Sequence, residues 1–591
     1  MKPMGSRSKA LAPKRREQRL SDGLLEATEY FIQADQRTKV TAADRNKARK
    51  LLLKGTKCVK KNDLEGAAKC YFEAHICDPT DSDPLLFLAN TLAEIDRASE
   101  AILAFERLLK LNPDDPEMIF GIGCLADKLK MHEAAVKMYS TFIQMKPDDF
   151  RGYYNLAYTY YAMERFEDGI ELLQYAIQGL PSSAELWQVL GIIVADAHDI
   201  DTARPFFEEA IRLNPGYSDA YANYGRALNA VGRYAESVPV LEKAVALAGD
   251  REPESHFNLS TALIGVGRLK EGWEKYEWRL DTRRSDSVTY LHNLPRWQGE
   301  DLSGKTILIC DEQGIGDTVL FASCFQELID QAAHTIIEVD RRLIPLFMRS
   351  FPGCTIMPTI QYVFNGRVHQ AYPWIKDFNH PIDYAIESGS LLKFFRSRIE
   401  DFPTERHEGY LKPDPERVAF WRERFDQVGD GLKVGLCWSG GMIDHIRKQI
   451  YVNLEDFLPF LRLEGADCIS IMYKDCREEI ALMKERHGFT VHDWEDIDRK
   501  DDLDENAAYI AALDVVISIS SFPAEAAASL NKPTFLLWAG PGSMQCGTGN
   551  RYPFHPNVTL FINGDDAQEP WPKKAIREAA EALQQRIGAN R

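Results

Sequence analysis

The chain has 591 residues, too many for a single core, so two to four domains are expected. Its formal net charge of −18 argues against a general nucleic-acid binder; Lys14, Arg15, Arg16 and Arg19 form its one basic concentration. No apolar h-region opens the sequence, and no run approaches roughly 18 uncharged apolar residues, so neither a secretory signal nor a membrane span is expected. The eleven cysteines are scattered without a C-x-x-C pair, which fits reduced thiols in a cytoplasmic protein better than a zinc site.

Residues 1–45 read as a basic, partly disordered tail. From 46 to 282 a strict period takes over, with Pro79, Pro113, Pro147, Pro181 and Pro215 spaced 34 residues apart. Gly55, Gly123, Gly191 and Gly225 recur in the first helix of a unit, and Ala67, Ala101, Ala135 and Ala203 in the second. Tyr71, Phe105, Tyr139 and Phe207 come next, large side chains placed to fill the space between close helices. Leu-Asn-Pro at 111–113 and 213–215 ends a helix and sets the turn. The phase predicts a sixth unit over 218–249 and a seventh over 253–280. The aromatic run Gly272–Arg279 in that last unit suits a seam against the next domain better than a polar cap.

These units resemble tetratricopeptide repeats, which form helical solenoids that bind peptides along a concave face. Asn155, Asn223 and Asn258 share one phase of the first helix, where an amide can serve a peptide backbone as donor and acceptor. The arrangement is similar to the asparagine ladder of protein O-linked N-acetylglucosamine transferases.

After a linker at 283–303 the pattern changes. Lys305–Cys310 reads as a buried strand, succeeded by the turn Asp311-Glu-Gln-Gly-Ile-Gly-Asp317 and a helix over Thr318–Asp330. The turn is no P-loop, since G-x-x-x-x-G-K-[ST] is absent. Strands at Thr335–Glu338 and Thr355–Met357 complete an α/β domain over 304–415. A second, over 416–591, begins with Leu432–Trp438 and runs into Ser439-Gly-Gly441. It continues through strands at 468–473 and Val515–Ser518, a helix opened by Ser520-Ser521-Phe-Pro-Ala-Glu525, and Thr534–Trp538. Gly540–Gly549 reads as a mobile loop able to close over a ligand.

This ordered combination resembles the GT-B half of bacterial tetratricopeptide-repeat glycosyltransferases and is similar to the heptosyltransferases. The fold expected is therefore an all-α tetratricopeptide solenoid followed by a GT-B glycosyltransferase of two Rossmann-like α/β domains. The resemblance implies a metal-independent, inverting enzyme with no cofactor and a nucleotide-sugar cosubstrate. It places the acceptor base at Asp317, with Glu312 the weaker alternative and an N-cap aspartate the bland reading. Gly314, Gly316, Ser439, Gly440 and Gly441 would let the backbone approach the donor. Arg447 and above all Lys448 would neutralise its phosphate, and Ser520 and Ser521 would donate to it. Where the family carries Asp-Thr or Asp-Ser and then histidine, this chain has Ser520, Ser521 and Glu525. The architecture also resembles enzymes that transfer CMP-linked nonulosonic acids such as pseudaminic acid to flagellin. The implied partner is then a protein acceptor, flagellin among the candidates, held by the repeats. The alternative is a peptide-binding scaffold whose glycosyltransferase half has decayed.

Overall fold

The computed structural model describes residues 30–37, 39–61, 63–95, 97–111, 114–364, 367–378, 380–405, 407–440, 450–563 and 571–590. The chain divides into two compact units, one reaching Tyr224 with Val363–Arg367, the other comprising Gly225–Tyr362 and Val368–Arg591.

The first unit is a series of helical hairpins: α1 (Ala42–Lys60) with α2 (Leu64–Cys77), α3 (Asp83–Glu94) with α4 (Ala98–Leu111), and α5 (Pro116–Lys128) with α6 (His132–Met145). It continues through α7 (Phe150–Ala162), α8 (Phe166–Gly179), α9 (Ala184–Ala197) and α10 (Ile200–Leu213) into α11 (Ser218–Ala230). The 34-residue chemistry repeats in the caps. Asp115 accepts from the Glu117 and Met118 amides, and Asp149 from that of Arg151, so each satisfies amides the helix start leaves open. The recurring glycines sit where a large side chain crosses. A Cβ on Gly123 would lie 2.5 Å from Tyr139, one on Gly55 2.4 Å from Tyr71, and one on Gly191 3.0 Å from Phe207. The same pairing reappears in the second unit, where Leu241 replaces the aromatic against Gly225. α10 ends at Leu213, with the Asn214 amide bonded to Ala210.

The second unit opens with α12 (Tyr234–Ala248), α13 (Pro253–Gly265) and α14 (Leu269–Tyr276), which complete the sixth and seventh hairpins. Next comes β1 (Val288–Tyr290), paired in parallel with β6 (Arg367–Gln370), whose other neighbour is β5 (Gln361–Phe364). A four-stranded parallel sheet is ordered β4 (Thr355–Pro358), β3 (His334–Val339), β2 (Thr306–Cys310), β7 (Tyr384–Glu387). A five-stranded parallel sheet has the order β12 (Val558–Ile562), β11 (Thr534–Trp538), β10 (Val515–Ile519), β8 (Leu432–Cys437), β9 (Ala466–Ser470). All of β10 and residues 307–310 of β2 are buried, as continuous apolar runs in parallel sheets should be. Cys310, Cys437 and Cys468 are buried among them.

The aromatic run at 272–279 does form a seam within this unit. Trp273 is 1% exposed and its indole N–H donates to the Arg396 carbonyl at 2.8 Å. The Gly540–Gly549 loop corrects the expectation of a free lid, because it is docked on the last two hairpins. Tyr234 Oη donates to Pro541 O at 3.1 Å, and a Cβ on Gly547 would lie 2.7 Å from Gly267 N. Its glycines permit this backbone-on-backbone approach; Gly547 and Gly267 both have positive φ. Among the described residues no helix is long and apolar enough to cross a membrane.

Candidate functional site

In each parallel sheet the chain leaves a central strand in one direction and later returns on its other side, β3 and β7 flanking β2, β9 and β10 flanking β8. Such switch points open a crevice at the carboxyl ends of the central strands. The turn after β2 and the turn after β10 carry the residues of interest, and their two helices approach each other. A Cβ on Gly316 would lie 4.0 Å from Phe522 Cα.

The helix after β2 starts at Ile315, three residues earlier than the sequence suggests, and stops at Phe321 before a tighter turn over 322–324. Gly314 is its N-cap, which makes Asp317 the third helical residue and not the cap itself. Asp317 Oδ2 accepts the Gly314 amide at 3.1 Å, closing the turn on itself. Burial pushes the Asp317 carboxyl above its ordinary range; the nearby charges of Glu525 and Glu312 push the same way, while the Gly314 amide opposes them.

Glu312 is withdrawn from the crevice. It is 3% exposed, receives Arg279 through Nη2 at 2.8 Å and Nε at 3.0 Å, and accepts the Gly389 amide. A carboxylate held in an ion pair with a buried guanidinium and bonded to an amide is poorly suited to take a substrate proton. Ser390 and Glu277 extend this network, with Ser390 Oγ 2.8 Å from Arg279 Nη2 and 2.7 Å from Glu277 Oε1.

On the other side, Ser521 caps the helix Phe522–Ser529 in extended backbone, yet its hydroxyl makes no cap bond. It turns back to Ser518 Oγ at 2.9 Å and Cys437 Sγ at 3.7 Å, so the expected N-cap chemistry is absent. Ser520 is exposed. Ser439 is 6% exposed, and its Oγ has no hydrogen-bond partner among the described residues. Gly440 leaves room for the Tyr451 hydroxyl, which a Cβ would meet. Gly441, Arg447 and Lys448, with neighbouring His445, lie outside the described residues.

Glu525 stands in the first turn of that helix and is held by residues that carry no mark in the sequence. Tyr552 Oη donates to Glu525 Oε1 at 2.6 Å. His555 is fully buried, with Nε2 3.3 Å from Glu525 Oε2 but out of line for a hydrogen bond. Its ring stacks with those of Tyr552 and Tyr410, with centroids 5.8 and 5.9 Å away. Burial, then the Glu525 charge, push the Tyr552 phenol well above its usual range. Behind the first turn lies a second network that sequence reasoning missed. Asp311 accepts from Thr318 and Thr359, each at 2.7 Å, and Glu338 accepts from Gln370 Nε2 and the Asp311 amide. A lone acid within His334-Thr-Ile-Ile-Glu-Val339 is its sequence signal. Among the described residues no group of three or more His, Cys, Asp or Glu is placed to hold a metal ion.

The asparagines do not form one set. Asn155 and Asn223 belong to the first unit and Asn258 to the second. The amides of Asn155 and Asn223 each donate at 2.9 Å to a carbonyl one turn back in their own helix, Arg151 and Asp219. Both are partly exposed, so part of each amide's capacity is already taken.

Two tetratricopeptide-repeat profiles match the chain, over residues 120–184 and 194–271. The aspartyl/asparaginyl beta-hydroxylase of Mus musculus is 26% identical over 202 residues, 32% of this chain and 27% of its own length. A solved structure, MamA from residue 41 onward of Desulfovibrio magneticus RS-1, is 26% identical, covering 29% of this chain and 97% of its own, with a TM-score of 0.26. Protein FlbA of Caulobacter vibrioides is 34% identical over 469 residues, 78% of each chain. The chain is therefore a tetratricopeptide-repeat protein with a carboxyl-terminal α/β region of parallel sheets, and it belongs to the family of Protein FlbA.

Proposed function

We propose that this protein is a glycosyltransferase of GT-B architecture that moves a sugar from a nucleotide donor to Ser or Thr of a protein acceptor engaged by the repeats. The observation that carries this reading is the approach of two helix starts from the open ends of two parallel sheets, one bearing Asp317 and the other Glu525. In the proposed reaction Asp317 takes the proton of the acceptor hydroxyl. The freed oxygen attacks the anomeric carbon as the bond to the donor phosphate breaks, inverting the configuration there. By the resemblance, Arg447 and Lys448 are the residues to neutralise the leaving phosphate. A CMP-linked nonulosonic acid is the donor class and flagellin the acceptor that the resemblance points to.

The test is intact-mass measurement of flagellin co-expressed with this chain and a donor-producing host. A mass increment that disappears with Asp317→Asn supports the reading; an acceptor unmodified with the wild-type chain under every donor supplied counts against it. Burial, reinforced by the charge of Glu525, raises the Asp317 carboxyl, so the acidic limb of activity should sit above the ordinary carboxylate range, with activity falling as Asp317 is protonated. A limb at the pH of an unperturbed aspartate would remove Asp317 as the base.

The second reading is a scaffold without catalysis. Two observations favour it: Glu312 is locked to Arg279, and Asp317 already satisfies the Gly314 amide. Under that reading Asp317→Asn leaves partner binding intact and no acceptor gains mass.

A further inference from the structure

Glu525 presents a problem for any phosphate placed at the start of its helix. The side chains that interact with it among the described residues are Asp317 from the opposite turn and Tyr552 and His555 from the segment after β11. None of these is a lysine or an arginine. A phosphate there would lie between two carboxylates in a partly buried space, where charges are poorly screened.

A sugar hydroxyl meets the opposite situation. A carboxylate is an acceptor with about four lone-pair positions. Tyr552 occupies one of them at Oε1, and 16% of the Glu525 side chain remains open. Behind it, Oε2 and both ring nitrogens of His555 are buried with no hydrogen-bond partner among the described residues. Buried polar atoms are seldom left unbonded, and His555 Nε2 stands 3.3 Å from Oε2, within reach of a shared proton. Stacking with Tyr410 and Tyr552 limits the rotation of the His555 ring.

On the reading of the site as a donor pocket, we propose that Glu525 receives hydroxyl groups of the donor's sugar, with no phosphate against it, and that His555 is its positioning residue. The residue that departs from the family pattern is then the one that distinguishes a glycosylated nucleotide from the bare nucleotide.

The experiment is calorimetric titration of the full chain with CMP, UDP and GDP and with commercially available sugar conjugates of each. Wild-type protein should bind one conjugate more tightly than its bare nucleotide. Glu525→Gln preserves the shape and should weaken that conjugate about tenfold or more, leaving the bare nucleotide unchanged. His555→Gln should give the same selective loss in smaller measure. Equal weakening of both ligands by Glu525→Gln would overturn the proposal by showing a general packing role. Tighter binding of the bare nucleotide would overturn it too, by placing the phosphate beside the carboxylate. In both cases the donor pocket itself stands. If neither nucleotides nor conjugates bind the wild-type chain, the donor reading fails and this inference with it.

Discussion

Glu338 shows how one buried side chain behind the site ties pH to stability. It lies in β3 at 1% exposure, directly behind the turn that carries Asp317, and burial raises its carboxyl to about 8. Gln370 and the Asp311 amide both donate to it, which opposes the shift without cancelling it. Asp311, raised by burial to about 6, adds a second proton-holding group. A carboxyl with a folded-state value above its unfolded one binds its proton more tightly when folded. The stability it contributes is fully present below the ordinary carboxylate range and is lost as pH rises through about 8. Melting temperature measured from about pH 5 to pH 9 should therefore decline toward the alkaline end. Glu338→Gln, which keeps the acceptor for Gln370 and cannot ionise, should flatten that decline. An unchanged slope in the variant would show that another group sets it.

At the level of helices, the repeat half is legible in the sequence because each feature recurs with a physical reason attached. A glycine 16 residues before a large side chain appears at Gly55 and Tyr71, Gly123 and Tyr139, Gly191 and Phe207, and in each pair the ring occupies the volume a Cβ would claim. Gly123→Ala should accordingly force Tyr139 out of place and destabilise the chain by about 1–3 kcal/mol, the usual range for overpacking. Gly179, the last residue of α8, has nothing within 4 Å of a built Cβ. Gly179→Ala should be neutral or stabilise by up to about 1 kcal/mol through helix propensity alone. Urea unfolding of the two variants side by side checks the pair; equal effects would mean that backbone preference, not packing, maintains the pattern within the chain. The helix after β2 is less legible. Its start depends on Gly314 as N-cap, and a glycine cap leaves no side-chain signature, so the sequence alone puts the boundary three residues late. Tyr552 and His555 escape sequence reasoning for a different reason. They reach Glu525 only through the fold, across 27 and 30 positions, and nothing local in the sequence marks that meeting.

For the whole molecule, the sequence suggests a clean break at 282–283 between repeats and α/β half, whereas the compact unit begins within α11 at Gly225. Periodicity tells where repeats end but not which of them share a core with the α/β half. Here the last two hairpins share one: Trp273 is buried against Arg396, Arg279 from the end of the seventh hairpin pairs with buried Glu312, and the 540–549 loop rests on Tyr234 and Gly267. A chain cut to 283–591 would lose the partner of Glu312, and an unpaired buried charge costs about 3–5 kcal/mol. It would also uncover the surface that Trp273 fills, and a large aromatic removed from a core costs about 3–5 kcal/mol more. Those losses are comparable to the whole stability of an ordinary domain. The 283–591 chain should therefore lack a cooperative melt and a near-ultraviolet circular dichroism signal. The 215–591 chain, which retains α11 through α14 entire, should show both. If 283–591 melted as sharply and at the same temperature as 215–591, the last two hairpins would be neighbours of the α/β core and not part of it.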